Sequence, residues 1–162
     1  MKDRQPVGVG GWLALLTIGL MVLGPMVSLG NLLNLIRTVE DSAIGPLKPE
    51  WGTFKLVAWS IVATAAALSV MTGYRLRADH RPESVKLAKK ALWLIGPMSN
   101  ALLNVSMIVV LQLNPTPEFI GSAIGGLAGG CIVAFIWTVY LSRSRRVRNT
   151  YLLDNDAMLT GG

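Results

Sequence analysis

Charge is missing from the most apolar parts of this chain. Four stretches, roughly residues 11–36, 56–74, 91–113 and 119–141, contain no Asp, Glu, Lys, Arg or His. Proton- and ion-coupled transporters normally place ionisable groups inside such stretches, so this absence argues against an ion-coupled pump. A passive pore or a lipid-handling protein remains compatible with it. Charged residues make up 15% of the 162 residues, where a soluble domain carries about a quarter. The deficit falls inside the four stretches and marks a membrane protein.

Cysteine and histidine are nearly absent too. The one cysteine, Cys131, lies in the middle of the fourth stretch. It allows no intrachain disulfide and no cysteine metal site, and reads as a small packing residue. The one histidine, His80, lies among arginines between the second and third stretches and reads as a solvated loop residue. No paired carboxylates, nucleophile–base pair or phosphate loop occurs. The expectation is therefore a protein that is not an enzyme, with no catalytic residue, cofactor or metal site.

What is present is length and apolarity. Each stretch reaches about the 20 residues that a helix needs to cross a hydrocarbon core. The expected fold is all-α: a polytopic, four-transmembrane-helix bundle forming one domain over residues 1–162. Residues 142–162 form a cytoplasmic tail, basic and then acidic at Asp154 and Asp156. Lys2 and Arg4 before the first run imitate a signal peptide. That run exceeds the usual 7–15 residues, and no small-residue cleavage site follows, so it reads as a retained helix.

The net charge of +6 does not imply nucleic acid, because the basic residues flank apolar spans. Lys2 and Arg4 precede span 1. Arg75, Arg77, Arg81, Lys86, Lys89 and Lys90 lie between spans 2 and 3, and Arg143, Arg145, Arg146 and Arg148 follow span 4. Opposite them are Arg37, Lys48 and Lys55 with Glu40, Asp41, Glu50 and Glu118. Short loops rich in Lys and Arg stay cytoplasmic, which puts both termini inside. Aromatic belts are expected at both surfaces, with Trp12, Tyr74, Trp93, Trp137 and Tyr140 inside and Trp51, Phe54, Trp59 and Phe119 outside. Pro82 and Glu83 suit a helix start that would run through Lys86, Lys89 and Lys90 into span 3. Residues 37–53, with Gly45-Pro46 and Lys48-Pro49, read as an irregular outer loop.

Gly24-Pro25-Met26 in span 1 and Gly96-Pro97-Met98 in span 3 hint at two tandem helical hairpins. Pro25 should free the carbonyl of Met21, and Pro97 that of Trp93; each kink is either a static bend or a hinge beside a polar cavity. Gly96, Asn100 and Asn104 recur every four residues and share one face of span 3, with Ser99 and Ser106 nearby. That face reads as interhelical hydrogen bonding or, with Pro25 and Pro97, as a polar ligand site. Span 4 carries two small-residue stripes, Gly121/Gly125/Gly129 and Ser122/Gly126/Gly130. Both favour close helix packing, within the chain or between chains. Arg143, Arg145, Arg146 and Arg148 either contact anionic lipid or only anchor topology.

Two end motifs carry a family resemblance. The chain opens with Gly10-Gly11-Trp12-Leu13. It closes with Trp137, Tyr140 and then Ser144-Arg145-Arg146-Val147-Arg148-Asn149-Thr150-Tyr151. This resembles the DUF2569 family of small bacterial inner-membrane proteins, with Arg148 where the family often has lysine and Tyr151 where it has phenylalanine. The resemblance implies a bacterial plasma membrane, four spans and no established activity. The expected role is that of an accessory or scaffolding subunit, packing with itself as a homo-oligomer or with a larger membrane complex. The alternative is a small transporter or lipid-binding protein with a polar site at the kinks of spans 1 and 3.

Overall fold

The computed structural model describes residues 11–41 and 48–151. They form helices α1 (Trp12–Asp41), α2 (Trp51–Ala78), α3 (Pro82–Leu111) and α4 (Pro117–Arg143), then a short α5 (Arg145–Tyr151), with no strand among the described residues. The first four are long and apolar enough to cross a bilayer. Most of each apolar run faces outward: Val27, Val109, Ile124 and Phe135 all leave more than half their surface open. In water such a coat would drive aggregation; in lipid it is the surface the solvent demands. This is an all-α, multi-pass membrane protein.

The helices outrun their apolar runs. Helix α1 continues through Arg37 and Glu40 to Asp41, and α2 begins at Trp51. Eight of the eleven described residues of the expected outer loop are therefore helix, and Gly45-Pro46 lies outside the described residues. Helix α3 does start at Pro82, with Arg81 extended before it and Glu83 in its first turn, so the lysines ride on the span itself. Pro117 opens α4, where the Phe119 N–H bonds to the Thr116 hydroxyl at 3.3 Å. Helix α3 stops where Gln112 turns left-handed (φ 48°). The Lys48 ammonium donates to the freed carbonyl of Leu111, placing a cation at a helix C-terminus.

Helix α1 packs on α2, α2 on α3 and α3 on α4, while α1 and α4 share no extensive contact. Two apolar cores form. The first lies at the end carrying Arg75–Lys90 and Arg143–Arg148 and draws on every helix, from Leu13 and Leu16 to Leu76, Ala88, Leu141, Val147 and Tyr151. The second, at the opposite end, joins Leu32, Phe54, Val62 and Leu111 and contains no residue of α4. The bundle is thus closed at its basic end and splayed at the other.

The aromatic residues divide accordingly. Trp12 and Trp137 meet at 6.5 Å, and Trp137 meets Tyr140 edge-on at 5.8 Å. Trp51 and Phe54, expected in an outer belt, instead stack at 5.4 Å inside the second core. The Trp51 indole N–H reaches Glu40 Oε1 at 3.3 Å, and Lys55 pairs with the same oxygen at 3.1 Å. These donors hold the Glu40 carboxyl below its ordinary range, Lys55 contributing most.

Candidate functional site

Both helices with an internal Gly-Pro step contain a π-helical turn, Gly19–Leu23 in α1 and Leu94–Met98 in α3. The turn shifts the frame of freed carbonyls. Gly24 N–H donates to Gly19, five residues back. The same step from Leu20 falls on Pro25, which has no N–H. The orphan is therefore Leu20, not Met21, and Ser69 of α2 donates to it at 2.6 Å. In α3, Ser99 N–H donates to Leu94 and the Ser99 hydroxyl donates to Ile95, with a longer contact to Gly96 at 3.3 Å. The carbonyl freed in α1 is met from the neighbouring helix, whereas in α3 the Ser99 hydroxyl adds its bond to Ile95, not to a carbonyl that Pro97 frees. Such π turns recur at functional sites.

Glycine sets the helix spacing. A Cβ on Gly73 of α2 would fall 2.5 Å from Met21 Cγ and 3.2 Å from the Thr17 carbonyl of α1. A Cβ on Gly130 of α4 would fall 3.2 Å from the Pro97 nitrogen, and one on Gly126 would fall 3.1 Å from Asn100 Nδ2. The Gly126/Gly130 stripe is therefore the seam between α3 and α4. Gly121, Gly125 and Gly129 have open space beside them. The two stripes, alike in sequence, do different things.

Between the splayed α1 and α4 lies a cavity of about 670 Å³. Helices α2 and α3 floor it through Val62, Ala65, Ile95 and Leu103. Its rims, Leu23 and Val27 on α1 and Val133 on α4, are also exposed, so it opens sideways between those two helices. Gly96, Asn100 and Asn104 line it as their spacing predicts, joined by Ser99, Gly129 and Gly130. Pro25 and Pro97 do not line it: Pro97 is buried in the α3–α4 seam, and on α1 the wall is Gly24. Ser28 and Asn31 of α1 also line it and were missed in the sequence, although Gly24, Ser28 and Asn31 recur at helical spacing.

The polar groups are unevenly satisfied. Asn104 Nδ2 donates to the Asn100 carbonyl at 2.8 Å and to Asn100 Oδ1 at 2.9 Å. That pairing fixes Asn104 Oδ1 facing away as an acceptor. The side chains of Ser28 and Asn31 make no hydrogen bond among the described residues. No charged side chain lines the cavity. The arrangement offers hydrogen bonds to an uncharged polar group and an apolar wall to whatever is attached to it. No group of His, Cys, Asp and Glu able to hold a metal occurs among the described residues.

A family model described as "Protein of unknown function (DUF2569)" matches residues 6–152, nearly the whole chain. The chain belongs to the DUF2569 family. No curated protein and no solved structure matches it. Within this DUF2569 fold, the tail arginines lie at the closed end. Arg143, Arg145 and Arg148 are exposed, while Val147, Thr150 and Tyr151 turn inward. The tail is thus no free extension as far as Tyr151, whose hydroxyl donates to the Leu76 carbonyl and whose ring stacks on the exposed His80 at 5.8 Å. Asp154 and Asp156 lie outside the described residues.

Proposed function

We propose that this chain is a non-enzymatic membrane protein that holds an uncharged, hydrogen-bonding amphiphile in the cavity between α1 and α4. The observation that carries this reading is the convergence of Ser28, Asn31, Ser99, Asn100 and Asn104 on one otherwise apolar cavity with a lateral opening. An unpaired amide at membrane depth is costly, so a polar partner is favoured there. The location we infer is a bacterial inner membrane, and the charge asymmetry supports an orientation with the closed end and both termini cytoplasmic.

Native mass spectrometry of protein released from mild detergent tests this. A retained small molecule or lipid should be lost in Asn31→Leu and in Asn104→Leu while the helical signal is kept. A wild-type protein that carries no such mass, or variants that carry it unchanged, would overturn the reading.

The accessory or scaffolding role draws on a separate observation, the open Gly121/Gly125 face of an α4 segment that belongs to neither core. Because Gly129 also lines the cavity, Gly121→Leu with Gly125→Leu is the cleaner test. Unchanged native-gel mobility and unchanged co-purifying partners would count against that role.

A further inference from the structure

We infer a second, distinct binding site: Lys89, Lys90, Trp93 and Leu94 form a groove on α3 for the headgroup of an anionic phospholipid. These residues line a shallow open groove at the basic end, away from the cavity between α1 and α4. Its surface is almost wholly apolar, made by the lysine stems, the indole and Leu94. The two lysines that line it carry its positive charge, with Lys86 one helical turn before Lys90. Long lysine stems cover apolar surface while their heads stay in the polar layer.

Three features select the ligand. Among the described residues no carboxylate pairs with Lys86, Lys89 or Lys90; the ion pairs there are Lys55–Glu40 and Arg81–Asp79. Within the described residues, the positive groups therefore remain available to an outside anion. Depth fixes the source of that anion: the uncharged part of the span opens at Ala91, directly after Lys90, and Trp93 in its first turn is exposed at the level where indoles meet headgroups. An acyl chain can then run along Leu94 while its phosphate meets the lysines. The π-helical turn begins at Leu94 and widens the helix at this point. Basic pockets at this depth take anionic headgroups.

The test uses the full chain in nanodiscs of mixed phosphatidylglycerol and phosphatidylcholine, reading the lipids retained on release by native mass spectrometry. Wild type should retain phosphatidylglycerol preferentially. Lys89→Gln with Lys90→Gln should reduce that preference roughly 10- to 30-fold, and Lys89→Arg with Lys90→Arg should keep it. Arg143→Gln with Arg145→Gln removes the same charge from the same end and should reduce it far less. Equal losses in the two Gln pairs would reduce the effect to general surface charge and overturn the site, as would a wild type without preference. Asn31→Leu should leave this preference intact, which separates this site from the cavity.

Discussion

The hydroxyl of Ser69 on α2 donates to the Leu20 carbonyl of α1 at 2.6 Å, occupying the acceptor that the π turn and Pro25 together leave open. Gly24 lies beside this bond, since a Cβ there would approach Ser69 Oγ to 3.1 Å. A broken backbone ladder, a small residue and a hydroxyl on the next helix thus form one device that lets α1 bend in lipid. Removing the hydroxyl strands a buried carbonyl. Ser69→Ala should destabilise the bundle by about 1 kcal/mol, measured as reversible unfolding in detergent micelles. An unchanged midpoint would mean that another donor supplies the bond.

The two glycine stripes should separate under mutation. Gly130→Leu drives a side chain into the Pro97 backbone, which cannot retreat without moving α3, and should cost roughly 1–3 kcal/mol or more. Gly125→Leu meets open space and should leave the unfolding midpoint of the monomer where it was. Equal destabilisation by both would contradict the seam assignment.

Tyr151 ties the tail to the end of α2. Tyr151→Phe keeps the ring and its stacking on His80 but loses the donor to Leu76, and should cost about 1 kcal/mol. Limited proteolysis between Arg145 and Arg148 should accelerate in the variant.

The same residue gives a pH signature. Burial, and secondarily Tyr140, pushes its phenol up from 10.0 to about 12. The folded state therefore keeps its proton after the unfolded chain has released it. The contribution is complete below pH 10 and is lost as pH rises toward about 12. The stability gap between wild type and Tyr151→Phe should narrow across that window, as read by unfolding midpoints at stepped pH. A gap that widens there would reverse the sign of the argument.

Much of this architecture was legible in the chain. Uncharged runs of span length, the Pro82 helix start and the four-residue spacing of Gly96, Asn100 and Asn104 all follow from local periodicity. What escaped depends on distant partners. The π turn that moved the orphan carbonyl from Met21 to Leu20 is met by Ser69, 49 residues away. Trp51 and Phe54 look like belt residues until Glu40 and Leu111 close over them. The α5 helix is too short to show amphipathicity, although Val147, Thr150 and Tyr151 recur at helical spacing among arginines. On α1, Ser28 and Asn31 went unread because a polar pair in an apolar run gains meaning only once α3 lies opposite.

Both proposed sites depend on depth and on the orientation proposed above, the amide-lined cavity on lying in the hydrocarbon and the lysine groove on lying among headgroups. The most direct test is single-cysteine accessibility on a Cys131→Ser background, with Ala78→Cys and Ser142→Cys at the closed end and Asn114→Cys in the turn between α3 and α4. Ala78→Cys and Ser142→Cys should react with a membrane-impermeant maleimide only in inverted vesicles, and Asn114→Cys only in intact spheroplasts. Labelling of positions 78 and 114 from the same side would contradict the account.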